Sequence, residues 1–82
     1  MEFHEFMNTF ESTFMQKKKY WRRGQTLFNT LVKHRSDLSE QIRGDVFIDP
    51  FYDDEKTSKC INFIKMHWKL YRQQYLWRIR CL

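Results

Sequence analysis

The only proline of this chain, Pro50, stands in the stretch GDVFIDPFYDD, six residues after one of its two glycines. No regular helix runs through such a stretch. Proline lacks the N–H that a helix ladder uses, and it drives the residue before it, Asp49, toward extended geometry. Almost everything on either side carries apolar residues at helical spacing. The chain is therefore expected to be helical on both sides of one fixed break.

On the N-terminal side, Phe3, Phe6, Met7, Phe10 and Phe14 recur at i, i+3, i+4, i+7 and i+11. That spacing predicts a helix over residues 2–16. Glu2 and Glu5 fall in its first turn and Lys17, Lys18 and Lys19 at its end, as the helix dipole favours. Tyr20, Trp21, Leu27, Phe28, Leu31 and Val32 form a second helical stripe. Gly24 weakens that helix by up to about 1 kcal/mol relative to alanine. It marks either a boundary or a place where another backbone comes close.

Ser36, the aspartate in DLSEQIRG and the glycine that closes it predict a short third helix over residues 37–43, with Gly44 as its C-terminal cap. Beyond it, the Asp49 carboxylate is expected to accept backbone N–H groups just past it, giving a rigid turn that pins Phe51 and Tyr52 against the helices. Residues 46–48 have strand character but no visible partner. Gln25, Asn29, Asp49 and Tyr52 are polar groups near apolar surfaces. They are expected to fasten the DPFY loop to the second helix by hydrogen bonds, the alternative being contact with a ligand.

The longest helix is expected over residues 54–80. At 100° per residue, Ile61, Ile64, Trp68, Tyr71, Tyr75 and Ile79 make one apolar stripe, and Phe63, Met66, Leu70 and Trp77 make another. Lys65, Lys69 and Arg72 form a basic ridge between them. Such a helix is about 37 Å long, whereas a compact domain of this size is about 30 Å across. Its far end, residues 69–82, is expected to project as an interaction tail. The fold class is thus all-α: one small three- to four-helix domain with a long C-terminal helix.

The net charge of +5 hides strong blocks. Residues 1–15 carry three acids and no base, and residues 16–35 carry seven bases and no acid. Residues 36–55 carry seven acids and one base, and residues 56–82 carry seven bases and no acid. A partner meets a face, so the blocks say more than the net value. No apolar run approaches the roughly 18 residues of a membrane span. The start, MEFHEFMNTFE, has acids where a signal peptide has bases. A cytoplasmic protein is expected, without membrane contact.

Catalytic chemistry has little to work with. The histidines are His4, His34 and His67, and no zinc-binding spacing accompanies them. Cys60 and Cys81 would lie about 30 Å apart on a continuous helix, too far to pair. Asp49, Asp53, Asp54 and Glu55 read as capping and turn residues rather than a magnesium or acid–base cluster. The expectation is no enzyme, no metal and no cofactor.

Two segments mix bases with aromatics. QKKKYWRR offers Lys17, Lys18, Lys19, Trp21, Arg22 and Arg23, where cations meet phosphates and rings stack on unpaired bases, as single-stranded nucleic acid requires. The same residues also suit a solvated face or an acidic protein partner. KLYRQQYLWRIRCL, with the ridge before it, offers Lys65, Lys69, Arg72, Trp77, Arg78 and Arg80 to a protein partner or to a second copy in a homodimer. It also has the character of an interfacial membrane helix or a groove-docking peptide. Residues 25–43 make a poor helix-turn-helix, because Arg43 is the only base on the second helix.

RGQTLFNTL, the R-S-DLSEQIRG segment, DPFYDD and INFIKMHW together resemble a group of small proteins encoded in tailed-phage genomes. Their core reads RGQ-x-LFN-x-L, R-P-DL, IRG and DPFY, and it covers residues 23–68 here. Ser36 replaces the usual proline, and the tail beyond Trp68 is longer. The resemblance implies a phage origin and a host-cytoplasm setting, and it brings no functional residues with it. The function expected is a non-enzymatic accessory protein that binds and modulates, by inhibition, a host complex such as a CRISPR effector or other defence or transcription machinery. Nucleic-acid binding through the basic–aromatic patches is the alternative, and a virion structural or assembly role the third.

Overall fold

The computed structural model describes residues 1–69 of the 82. Four α-helices follow in order: α1 Phe3–Lys17, α2 Arg23–His34, α3 Ser36–Ile42 and α4 Thr57–His67, with a 3-10 turn at Asp54–Lys56 leading into α4. Among the described residues there is no strand, and the chain is all-α.

Most of the expected apolar faces are buried, although Val32 of α2 and Met66 of α4 stay exposed and Cys60, outside both expected α4 stripes, joins the core. Phe6 and Phe10 of α1, Leu27, Phe28 and Leu31 of α2, Leu38 and Ile42 of α3, and Cys60 and Ile64 of α4 form one continuous core with Trp68. Phe3, Met7, Ile48, Phe51, Ile61 and Phe63 pack against it from the edge. Burying a large side chain of this kind contributes roughly 1.5–3 kcal/mol, so a chain this small rests on few contacts. α2 is central, packing on α1, α3 and α4.

Trp68 closes the core. Its ring lies 5.9 Å from that of Phe3 and 5.2 Å from that of Phe6. Its indole N–H donates to the Met1 carbonyl at 3.1 Å. The Arg35 guanidinium sits 4.5 Å from its ring and donates to its carbonyl at 2.9 Å. Arg35 also makes a paired contact with Asp37, Nε to Oδ1 at 2.9 Å and Nη2 to Oδ2 at 2.8 Å. One arginine thus joins the α2–α3 corner to the end of α4.

Several expectations are corrected. The second stripe does not start at Tyr20, because residues 18–22 form a turn and Tyr20 is exposed. Residues 46–48 form turns rather than a strand. The final helix starts at Thr57, because the Asp53 carboxylate caps a 3-10 turn over the residues before it. It is helical through His67, with Trp68 and Lys69 in a turn. The continuation expected to residue 80, with Tyr71, Tyr75, Ile79, Leu70 and the tail at 70–82, lies outside the described residues. Cys81 lies there too, while Cys60 is a buried free thiol.

Both glycines have a structural cause. Gly44 follows α3 with φ +78°, a left-handed conformation that glycine adopts without strain. Gly24 is a close approach inside the first turn of α2. A Cβ there would lie 2.2 Å from the Pro50 carbonyl oxygen.

Candidate functional site

Two surface regions carry the candidate chemistry, and they are built differently. The first is the loop at residues 43–56, which returns the chain from α3 to α4. Its carboxylates hold its backbone. Asp45 Oδ1 accepts the N–H groups of Phe47 at 2.8 Å and Ile48 at 3.2 Å. Asp49 accepts Gly44 N–H at 2.7 Å and Phe51 N–H at 3.0 Å. Asp53 accepts Glu55 N–H at 3.0 Å. Asp54 reaches across to α2 and accepts Gly24 N–H at 3.0 Å. Arg22 donates to the Phe51 carbonyl and approaches Asp54 at 3.6 Å.

The expected fastening of this loop to α2 is therefore real but made by other groups. Asp49 grips the loop's own backbone, as its position before proline suggested. Among the described residues, Gln25, Asn29 and Tyr52 make no side-chain hydrogen bond; Arg22, the Gly24 amide and Asp54 bind the two elements instead. Phe51 is pinned edge-on against Phe28, with centroids 5.6 Å apart. Tyr52 touches Phe51 yet stays exposed. A cleft of about 340 Å³ lies here, lined by Phe28, Arg43, Gly44, Asp49, Phe51 and Tyr52.

The second region is the turn between α1 and α2. The Lys17 carbonyl accepts the N–H groups of Tyr20 at 2.8 Å and Trp21 at 2.9 Å, and those backbone bonds shape the turn. Lys17, Lys18 and Lys19 are exposed, and Lys17 Nζ lies 5.6 Å from the centre of the Trp21 ring. Arg22 and Arg23 are differently placed from the three lysines. Arg22 is tied to the acidic loop, and Arg23 clasps Glu11 at 2.6 and 3.1 Å over the rings of Phe10 and Phe14. Hydrogen bonding from Arg23 holds the Glu11 carboxyl below its usual range, against a smaller opposing effect of burial.

All four described arginines have carboxylate partners: Arg22 with Asp54, Arg23 with Glu11, Arg35 with Asp37 and Arg43 with Glu40. Lys56 pairs with Asp53 at 3.9 Å. Lys17, Lys18, Lys19, Lys33, Lys59, Lys65 and Lys69 have no ion pair among the described residues. Lys65 and Lys69 are exposed beside an exposed Met66. Arg72, Trp77, Arg78 and Arg80, the other expected partner-binding residues, lie outside the described residues.

Sequence reasoning missed Arg35. Its signal was an arginine two residues before an aspartate at a helix junction, which is too common to stand out. It also missed the cleft of about 270 Å³ between α1 and α2, which brings Gln16, Lys17, Trp21, Asn29 and Lys33 together from separate stretches.

Among the described residues, no group of three His, Cys, Asp or Glu side chains is placed to hold a metal ion. His67 stacks on Phe63 at 4.3 Å. Burial, with Asp49 adding to it, pushes the Cys60 thiol up to about 12, so it is a poor nucleophile near neutrality. No described helix is long and apolar enough to cross a membrane. No protein-family model, curated protein or solved structure matches the chain at a significant level.

Proposed function

We propose that this chain is a non-enzymatic accessory protein of phage origin that binds a host macromolecular complex in the host cytoplasm and inhibits it. A CRISPR effector, another defence complex or the transcription machinery is the kind of target meant. One observation carries the reading: Val46, Phe47 and Tyr52 are 70, 71 and 85 % exposed on a loop whose backbone is held by its own carboxylates. Apolar anchors on a preorganised frame lose little entropy on docking, and aromatic residues dominate interface energetics. The acids around them favour a basic partner surface. Lys65 and Lys69, with Arg72, Trp77, Arg78 and Arg80 further along the sequence, supply a further contact for the partner or for a second copy.

The test is a pull-down of the tagged chain from host lysate, with and without nuclease, read by mass spectrometry. One dominant host protein that persists after nuclease supports the reading. Phe47→Ala with Tyr52→Ala should weaken that capture at least about tenfold. Charge reversal at Lys65, Lys69 and Arg72 should abolish it with the fold intact, and capture that survives at physiological salt removes the ridge from the contact.

A second reading, nucleic-acid binding, is favoured by Lys17, Lys18 and Lys19, which are exposed and have no ion pair among the described residues, with Lys17 lying over Trp21. It requires affinity that falls steeply with salt. A flat salt dependence rejects it. The third role, in virion assembly, has no observation of its own.

A further inference from the structure

The cleft between α1 and α2 has a chemistry unlike that of the acidic loop. Gln16 and Lys17 come from α1, Asn29 and Lys33 from α2, and Trp21 from the turn between them. No carboxylate lines it, and residues 12–36 contain no acid at all. Lys17 and Lys33, with no carboxylate among the described lining residues, favour an anionic ligand. Among the described residues, the side-chain amides of Gln16 and Asn29 have no hydrogen-bond partner. Each amide offers both a donor and an acceptor. The hydroxyls of Thr9 and Thr30 donate to carbonyls of their own helices, at 3.0 and 2.8 Å, and so present only acceptor oxygens to the cleft.

Size narrows the ligand further. At about 270 Å³ the cleft is just below the roughly 300–1,000 Å³ of sites for drug-sized molecules. It holds one planar ring system and its immediate attachment. A flat aromatic wall, amides with mixed hydrogen-bonding capacity and two cations complement the three parts of a nucleotide: the base face, the base edge and the phosphate. Lys18 and Lys19, exposed next to the cleft, continue the positive track past a single phosphate.

We propose that this cleft binds one unstacked nucleotide of a single-stranded nucleic acid. The base packs against Trp21 within reach of Gln16 and Asn29, and the flanking phosphates meet Lys17 and Lys33. The inference rests on the second reading above and gives it a site. It moves the specificity from the arginines of the basic segment, which are held in internal pairs, to Asn29, Gln16 and Lys33.

The experiment is fluorescence anisotropy of the full chain with an end-labelled, mixed-sequence single strand of about 12 nucleotides, against the same sequence as duplex. Asn29→Ala, which suits a helix, should weaken single-strand binding about tenfold, and Trp21→Leu by a similar factor. Lys33→Gln should weaken it and lower the salt slope by about one. Circular dichroism confirms that each variant is folded. Binding unchanged in Asn29→Ala and Trp21→Leu, but lost in Lys18→Gln with Lys19→Gln, overturns the cleft and leaves nucleic-acid binding through the exposed lysines. Equal affinity for duplex also overturns it. Free AMP that displaces nothing supports a strand, whereas AMP that binds where the strand does not overturns the strand in favour of a free nucleotide. No binding by the wild-type chain at low salt overturns both the inference and the reading beneath it.

Discussion

The acidic loop at residues 43–56 and the basic turn at residues 18–22 connect helices in the same small domain, yet they put their charges to opposite uses. In the loop, Asp45, Asp49, Asp53 and Asp54 all accept backbone N–H groups, so the acids are the scaffold. In the turn, backbone bonds to the Lys17 carbonyl do the shaping and the lysine side chains are left to solvent. The same division separates the two kinds of base. A planar, forked guanidinium matches a carboxylate or a carbonyl at fixed geometry, whereas an ammonium is a hydrated point charge on a flexible stem. Here the described arginines join elements together, and most described lysines do not. Charge that shapes a fold and charge that awaits a partner look alike in a sequence and differ in whether a second group is already there.

Four measurements break or sharpen this contrast. The largest effect is expected at Arg35, whose side chain is only 15 % exposed. Arg35→Ala removes the Asp37 contacts, the bond to the Trp68 carbonyl and the cover on the Trp68 ring, and should cost about 3 kcal/mol in urea denaturation. A loss below about 1 kcal/mol would place Arg35 with exposed pairs that contribute little. Next is Asp49→Ala, which orphans two N–H groups and should cost about 1.5 kcal/mol. Asp49→Asn, which keeps one acceptor oxygen, should recover part of that loss. If neither variant loses stability, the loop is not held by its acids.

The third measurement is the acid limb of the stability curve. Burial raises the Asp37 pKa, but hydrogen bonding and charge from Arg35 outweigh it, and the net shift is downward. A carboxylate lowered in the folded state contributes stability that is complete above its unfolded value, near 4, and is lost as pH falls through its folded value. Asp37→Asn should flatten that limb. Glu11 acts in the same direction, but its pair with Arg23 is half exposed and screened, so Glu11→Gln should change the limb less. The smallest effect belongs to the turn. Lys17→Gln, Lys18→Gln and Lys19→Gln combined should alter stability by no more than about 0.5 kcal/mol, while abolishing any strand binding. A stability loss of 2 kcal/mol would erase the contrast.

Much of the fold was legible because its signals are local. The phenylalanines of α1 at i, i+3, i+7 and i+11, the Gly44 cap and the Asp-Pro turn each state their conformation within a few residues. The start of α2 was less legible, because the groups that define it come from elsewhere. Nothing near Gly24 announces the Pro50 carbonyl beside it, and no local spacing announces that Arg35 meets Trp68. For the candidate site the lesson is similar. The basic segment was visible as composition, but composition cannot sort Arg22 and Arg23, which have carboxylate partners, from Lys17, Lys18 and Lys19, which have none among the described residues. Asn29 and Lys33 join the cleft only after the hairpin folds.

The start of α2 has a kinetic consequence. Its N-cap, Arg22, provides no side-chain cap, and the amide of Gly24 is satisfied by Asp54, which lies 30 residues later in the chain. Until the loop at residues 43–56 has closed, the first turn of this helix has an unpaired N–H and a flexible glycine. The helix should therefore grow from its apolar centre around Leu27 and Leu31, and its first turn should set only when the Asp-Pro turn arrives. Setting of the first turn of the central helix and closure of a distant loop are therefore expected to be coupled.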